Sequence, residues 1–405
     1  MIFMKKKIIK VSNCLLCKNK KMKSIFSLGN LFVSNFVKKS EIKKGIKAPL
    51  NLVYCKNCEL IQLSHIAPQE IVYRRFYWYK SGVTKTMREG LRNIFKDSLK
   101  FVKIEKTDLV LDIGANDGTL LKYYKNKCLT LACEPAKNLQ NQLKQNCHYR
   151  IENFWSFEVF IKTSLKFNLP KPKIITAIGM FYDLENPNKF ISDASSALHD
   201  DGIFIAQLMC LKSMVAKNDI GNICHEHIEF YSLKSLKFLF EKNGLEIFRI
   251  EENDINGGSF RIYGRKYRTG SIKLPFENVN KMMKSFVKRV KINKNKTMNF
   301  IKKKNKQGKK VFLYGASTKG NTLLQYYGIN SKLIPYAAEK SSEKWNKYTI
   351  GTGIKIISES DAKKMKPDFF LVTPWAFIEE FKKRENKWRK AGGKFIVPFP
   401  KLMIT

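Results

Sequence analysis

The chain has 405 residues, enough for two or three domains that each bury a core. Its hydrophobic fraction of 44% is that of a globular protein, and no apolar run approaches the roughly 20 residues that a membrane helix needs. A net charge of +42 raises nucleic acid or an anionic surface as partners. The lysines, however, are spread through every segment, and apart from Lys302-Lys303-Lys304 and Lys309-Lys310 there is no dense basic tail.

Neither a nucleic-acid partner nor membrane insertion is therefore expected, and the charge reads as lysine-biased surface with some attraction for phosphorylated substrates. The start, Met1 to Lys7, is basic, but no long apolar core or small-residue cleavage site follows it. A cytoplasmic location and a monomeric state are expected. Nine cysteines in a chain this long do not suggest a disulfide framework.

Four of them have a better use. Cys14-Leu15-Leu16-Cys17 and Cys55-Lys56-Asn57-Cys58 are two C-x-x-C knuckles. Four thiolates around one ion satisfy the tetrahedral preference of zinc, and a closed set of this kind is structural. Metal binding would then contribute directly to folding. A thioredoxin-like redox pair is the competing reading; it lacks the βαβ context, and a duplicated motif suits a metal better. The tract Leu28 to Phe36, containing Asn35, follows the first knuckle, and Phe76-Tyr77-Trp78-Tyr79-Lys80-Ser81-Gly82 follows the second. Tyr77 and Tyr79, two apart, point the same way on an extended chain. They can hydrogen-bond a substrate carbonyl or pack between lobes.

The stretch Leu109 to Glu134 organises the rest. An apolar run, Leu109 to Leu111, reads as a buried parallel strand that breaks into Gly114-Ala115-Asn116-Asp117-Gly118, with a helix from Thr119. A second run, Leu129 to Cys133, ends on Glu134. Glycines let backbone approach a ligand, and a carboxylate about twenty residues later can hold two ribose hydroxyls. The dinucleotide pattern G-x-G-x-x-G is not matched, and no third glycine packs on the helix. Asp112 before the turn favours a cationic ligand over a pyrophosphate. D-x-G-x-N-D-G resembles the first motif of the S-adenosylmethionine methyltransferases, in the variant found in sugar C-methyltransferases.

Further on, Ile174 to Ile178 and Ile203 to Gln207 read as strands, with Gly179-Met180-Phe181-Tyr182 at the carboxyl end of the first. Alternating strands and helices give a parallel sheet. His225-Glu226-His227 holds two of the five histidines, too compact for the helical i, i+4 spacing of H-E-x-x-H. A histidine removes a proton near neutral pH, and a neighbouring carboxylate orients it. Asn256-Gly257-Gly258-Ser259-Phe260-Arg261 is a tight turn into a strand. Phe276 to Lys309 reads as a lysine-rich helix with Met282, Met283, Phe286, Val290 and Ile292 on its apolar positions. Val311 to Tyr314 reads as a strand, Gly315 to Gly320 as a turn, and Asn321 onward as a helix; this is an anion-site arrangement without the Walker spacing. Phe369 to Val372 and Lys394 to Val397 complete a second small sheet.

The resemblance covers nearly the whole chain in the same order of domains. It implies an α/β fold: a class I methyltransferase Rossmann-like core at 76–268, an N-terminal zinc-binding lobe at 1–75 and a C-terminal second Rossmann-like domain at 269–405. S-adenosylmethionine would lie across Asp112, Gly114, Asn116, Asp117, Gly118, Glu134 and Gly179, with Trp155 a stacking candidate for the adenine. The family's Y-H-E-H motif puts the general base on His227, supported by Glu226, with His225, Tyr77 and Tyr79 as further catalytic candidates. The family's tyrosine is Cys224 here, which opens the question of how the substrate carbonyl is bound. A nucleotide-sugar substrate would meet Asn35, Ser259, Arg261, Tyr314, Ser317, Thr318, Lys319, Lys340 and Trp375, with Lys319 and its turn on the pyrophosphate. The zinc would be structural, on Cys14, Cys17, Cys55 and Cys58. C-methylation of a nucleotide-linked keto sugar, in surface-polysaccharide or deoxysugar biosynthesis, is the activity this implies, and O-methylation on the same scaffold is the alternative. A zinc-containing RNA-binding protein is the reading from a different class; no RNA-stacking module is present to support it.

Overall fold

The computed structural model describes residues 7–68, 72 and 77–405. Most of the basic start and Phe76, the head of the aromatic run, lie outside the described residues. Three large sheets organise the described residues beside a two-stranded pair, Ile9–Lys10 with His65–Ile66, and two of the large sheets borrow strands from distant parts of the chain.

The central sheet has seven strands in the order Leu245–Asn253, Ser259–Lys266, Ile203–Met209, Pro172–Ile178, Leu109–Ile113, Leu129–Cys133, Tyr149–Ile151. Ser259–Lys266 runs antiparallel to both its neighbours, and the other ladders are parallel. Leu109–Ile113 and Ile203–Met209 are buried at every position, as strands covered on both faces must be, which explains why all but Asp112 and Gln207 in them are apolar. The chain reverses its order of strand addition between Leu109–Ile113 and Pro172–Ile178, and a crevice opens at the carboxyl ends there. This is the arrangement of a class I methyltransferase core. The helix expected from Thr119 is only one turn, Leu121–Tyr124. The Asp117 carboxylate accepts both the Thr119 N–H (3.1 Å) and its hydroxyl (2.6 Å), which holds the entry in a turn.

The amino-terminal sheet runs Glu229–Phe230, Ile61–Leu63, Lys47–Cys55, Met22–Phe32. Its edge strand, Glu229–Phe230, comes from the chain just after the His-Glu-His segment and pairs antiparallel with Ile61–Leu63. The carboxyl-terminal sheet has eight strands with a parallel core of Lys394–Val397, Phe369–Val372, Val311–Tyr314, Tyr336–Glu339 and Lys355–Ser358. Its far edge is Phe36–Val37, paired with Tyr348–Thr349. Strand pairing thus crosses both expected domain boundaries.

The lysine-rich helix spans Val279–Lys306, capped by the Asn278 side chain, which accepts the Lys281 N–H (3.1 Å). Its buried stripe is Val279, Met283, Phe286, Val290, Asn293, Thr297 and Ile301. Phe276 precedes the helix and is 85% exposed, and Ile292 falls off the stripe because it is only two residues from Val290. Phe286 meets Phe26 edge-on across the lobes.

Candidate active site

The carboxyl end of Leu109–Ile113 opens into a cavity of about 700 Å³ between the central sheet and the carboxyl-terminal lobe. Gly114 turns the chain at φ +72°, and a Cβ there would lie 2.7 Å from Met180 Cγ, so only glycine fits. The Asn116 N–H then donates to Glu134 Oε2 (2.9 Å) and the Ala136 N–H to Oε1 (2.8 Å). One lone pair on each oxygen remains for a ligand's hydroxyls. Burial raises the Glu134 pKa. Asp112 accepts the Thr176 hydroxyl (2.6 Å), and burial pushes its carboxyl up to about 7.

The residues present fit S-adenosylmethionine. Glu134, Asp112, Gly114 and Asn116 line the cavity together with Trp155, whose buried indole N–H has no partner among the described residues, and Gly179, where a Cβ would meet nothing within 4 Å. An unsatisfied donor and an open cradle beside two carboxylates suit a nucleoside that carries a positive charge.

Two asparagines fix the aromatic run at the cavity wall. Asn116 Oδ1 accepts the Ser81 N–H (2.9 Å), and Asn116 Nδ2 donates to the Tyr79 carbonyl (3.1 Å). Asn138 accepts the Tyr77 N–H (2.9 Å) and donates to the Tyr77 carbonyl (3.0 Å). Tyr77 and Tyr79 both line the cavity. Burial, then Asp183, Tyr182 and Glu226, hold the Tyr77 phenol well above its usual pKa, so it stays a donor.

Glu226 and His227 line the same cavity. His227 Nδ1–H donates to the Asn222 carbonyl (2.8 Å), and since a carbonyl can only accept, Nε2 carries the ring's lone pair. Burial, then the Lys319 charge, depress its pKa well below the usual range, so the ring is neutral at pH 7. Tyr182 packs edge-on against it, with ring centroids 4.5 Å apart. Burial raises Glu226, against the pull of Cys224, Thr318 and Lys319. The loop itself is anchored from outside: the Ile228 and Glu229 N–H groups donate to the Tyr182 carbonyl (2.8 and 3.0 Å), and the Leu63 N–H donates to the Ile228 carbonyl (2.9 Å).

Ser259, Ser317, Thr318, Lys319 and Trp375 line the same cavity from the carboxyl-terminal side and the strand turn. Seven of the expected site residues do not. His225 turns away and donates from Nε2 to the Ala48 carbonyl in the amino-terminal sheet (2.9 Å), where burial lowers its pKa to about 4. Arg261 is held behind the sheet by Gln207 (3.1 Å) and Asp97 (2.8 Å). Tyr314 lies in the carboxyl-terminal core, donating to Glu385 (2.7 Å) under Arg384. Lys340 is exposed outside the cavity. Asn35 accepts the Trp78 indole N–H (3.0 Å) and so braces the aromatic run from outside. Asp117 accepts the Gly82 N–H (2.7 Å), closing that run onto the turn. Gly118 faces the helix Gln140–Asn146 rather than the cavity: a Cβ there would lie 2.7 Å from Asn146 Cβ and 2.9 Å from Leu143 Cδ1.

Cys224, at the family's tyrosine position, is fully buried and does not line the cavity, whereas Tyr182 does. The sequence marks the Gly179–Tyr182 stretch at the carboxyl end of its strand, but no pattern within it singles out Tyr182. Asn138, Asp219 and Asn222 were missed, because isolated polar residues in turns carry no periodic signal.

The four knuckle sulfurs lie within 4.8 Å of one another, with Cys14–Cys58 at 3.4 Å and Cys17–Cys55 at 3.5 Å. A zinc tetrahedron with bonds of about 2.3 Å has sulfurs about 3.8 Å apart, so the set fits the ion. Asn188 of the central lobe donates to the Leu15 and Leu16 carbonyls (2.9 and 3.1 Å), which seats the first knuckle.

Three family models match in succession: a zinc binding domain at residues 14–73, a methyltransferase domain at 85–250 and a C-methyltransferase C-terminal domain at 254–400. The chain is an S-adenosylmethionine-dependent methyltransferase. Its cofactors are S-adenosylmethionine and a zinc ion in the four-cysteine site. The methyltransferase is 23% identical over 405 residues to the C-methyltransferase NovU of Streptomyces niveus, covering 96% of each chain. Among solved structures, it is similar to a methyltransferase from Clostridium acetobutylicum (11% identity, 46% of this chain and 94% of that one, TM-score 0.33). It is also similar to magnesium protoporphyrin IX methyltransferase from Synechocystis PCC 6803 (10% identity, 47% and 88%, TM-score 0.34). Likenesses that loose carry no conclusion. Among the described residues, no helix of the methyltransferase is long and apolar enough to cross a membrane.

Proposed function

We propose that this methyltransferase transfers its methyl group to carbon, on a nucleotide-linked keto sugar, with His227 as the base. The observation that carries the reading is the His227–Asn222 hydrogen bond, which commits Nδ1 as donor and leaves a neutral Nε2 in the cavity that Glu134 and Asp112 also line. S-adenosylmethionine supplies an electrophilic methyl carbon when bound. A sugar carbon attacks only after losing a proton, and the acidic one lies beside a keto group. His227 Nε2 takes that proton, and Tyr77 and Tyr182, both kept as phenols by burial, are placed to donate to the sugar. Ser317 and Thr318 open the helix Thr318–Tyr327 at the cavity edge, where the nucleotide end of the substrate would enter. The whole-length likeness to a C-methyltransferase favours carbon over oxygen as acceptor.

The test is a panel of dTDP- and GDP-linked keto sugars incubated with S-adenosylmethionine, with products read by mass spectrometry and NMR. A new C–CH₃ signal is expected, together with exchange of the α-proton in D₂O. His227→Ala should lose roughly 10²–10⁴ in kcat while binding both ligands normally. An O–CH₃ product, with no exchange on any sugar, overturns the reading.

A further inference from the structure

Lys319 was expected on the substrate pyrophosphate, yet its side chain runs towards the base. It is the second residue of the helix Thr318–Tyr327, whose start packs on the turn Ile220–Asn222. Lys319 Nζ donates to Asn222 Oδ1 (2.7 Å), and the carbonyl of the same Asn222 receives His227 Nδ1–H (2.8 Å). One residue therefore tethers the ammonium and the imidazole. Lys319, Asn222, Glu226 and His227 line the cavity together.

The surroundings tie Lys319 to the base rather than to the helix start. Asp219 lies beside Lys319 at the cavity wall, with its oxygens taken by the Gly221 N–H (3.1 Å) and Asn222 Nδ2 (3.1 Å). Glu226 stands on the base's own loop, and Asp183 also lines the cavity. A single oxygen gaining charge beside His227 needs one cation and one hydrogen bond, which the Lys319–Asn222 pair supplies. Asn222 takes only one of the three N–H donors of Lys319.

We propose, on the C-methylation reading above, that Lys319 is a catalytic residue that donates to the keto oxygen of the sugar and stabilises it as an enolate oxygen. His227 Nε2 takes the α-proton, the C–H pair becomes the C=C bond, and the carbonyl π pair moves onto the oxygen beside Nζ. Charge that develops against a preorganised donor in a site shielded from water is where an enzyme gains most. The same ammonium disfavours protonation of His227 and so keeps the base free, with Asp219, Glu226, Asp183, Tyr182 and Cys224 as the other titratable groups around it.

The experiment measures α-proton exchange in D₂O, kcat, and affinity for dTDP, for wild type, Lys319→Met and Lys319→Arg, on a dTDP-linked and a GDP-linked 4-keto hexose. Lys319→Met should lose roughly 10²–10³ in both exchange and kcat, with dTDP affinity changed less than about threefold and S-adenosylmethionine affinity unchanged. Lys319→Arg, which keeps the charge, should recover part of the rate. In Lys319→Met the acid limb of kcat/KM should move to higher pH, because the base has lost a neighbouring positive charge. Wild-type exchange that persists undiminished in Lys319→Met overturns the Lys319 role and leaves the C-methylation reading standing. A loss confined to dTDP affinity returns Lys319 to the pyrophosphate and likewise overturns it. Absence of exchange in the wild type with both hexoses removes both readings together.

Discussion

Glu134 and Glu339 hold the same station in two different sheets. Each stands at the carboxyl end of the strand that follows a glycine turn and helix, and each takes a turn N–H on Oε2: Asn116 for Glu134 (2.9 Å) and Ala316 for Glu339 (2.8 Å). Each takes on Oε1 the N–H two residues along its own chain, from Ala136 (2.8 Å) and Ser341 (2.9 Å). The first turn glycine donates to the carbonyl just before each glutamate, at 2.8 Å in both cases. The difference is Lys344, whose Nζ lies 3.5 Å from Glu339 Oε2 and donates to the Ala316 carbonyl (2.8 Å). One crook faces the cavity and the other is filled by a side chain.

The two glutamates should therefore answer mutation in opposite ways. Glu134→Gln is expected to weaken S-adenosylmethionine binding by about 1–3 kcal/mol, the scale of hydrogen bonds to a charged group, with little change in melting temperature. Lys344→Ala leaves a buried carboxylate without its partner and should cost about 3–5 kcal/mol of stability with donor affinity unchanged. Calorimetry and thermal melts on both variants check the pair, and a loss of donor affinity in Lys344→Ala would contradict the assignment.

Donor binding should depend on pH through Asp112. Its carboxyl is raised to about 7, so below that pH it holds a proton and above it is charged. A cationic donor favours the charged form, and binding at pH 6 must expel the proton. Affinity should rise between pH 6 and 8, with proton release visible as buffer-dependent heat. Asp112→Asn should flatten the profile, and an unchanged slope in that variant removes Asp112 from the donor site.

His225 offers a stability test separate from catalysis. Its folded pKa, about 4, lies below the unfolded value near 6.5. The unfolded chain therefore binds more protons between those pH values, and the residue's contribution to stability falls as pH drops through them. The amount is up to about 3 kcal/mol. His225→Gln keeps a donor for the Ala48 carbonyl and cannot titrate there. Urea melts from pH 6.5 to 4 should show a shallower loss for the variant, with kcat at pH 7.5 little changed.

Metal analysis should return one zinc per chain, with four sulfurs at about 2.3 Å by X-ray absorption. Cys14→Ser should lower the melting temperature. It should also lower kcat, because the base loop hangs on the zinc lobe through Ala48 and Leu63. Full activity in a zinc-free protein would break that link.

Much of this was legible from residues alone. Leu129–Cys133, Val311–Tyr314, Phe369–Val372 and Lys394–Val397 fall where their apolar runs put them, because strands buried on both faces write themselves as mostly hydrophobic sequence. The knuckle spacing likewise encodes a site that needs no long-range knowledge. Phe36–Val37 and Glu229–Phe230 are two-residue strands with partners far along the chain, too short for any period to show. Arg261 and Tyr314 sat in stretches with the right pattern, but which face a side chain takes depends on neighbours such as Asp97 and Glu385 that lie far off in sequence.

The loan of Glu229–Phe230 to the amino-terminal sheet fixes an order of assembly during synthesis. The knuckles leave the ribosome first and can take metal early, but their sheet keeps an open edge at Ile61–Leu63 until residue 230 has emerged. The Phe36–Val37 edge waits longer still, for Tyr348–Thr349. A fragment ending before Glu229 would carry a bare strand edge, the kind of surface on which chains stick to one another. Expression of this protein in pieces cut at the lobe boundaries should accordingly give aggregates, and only co-expressed or full-length chain should stay dispersed.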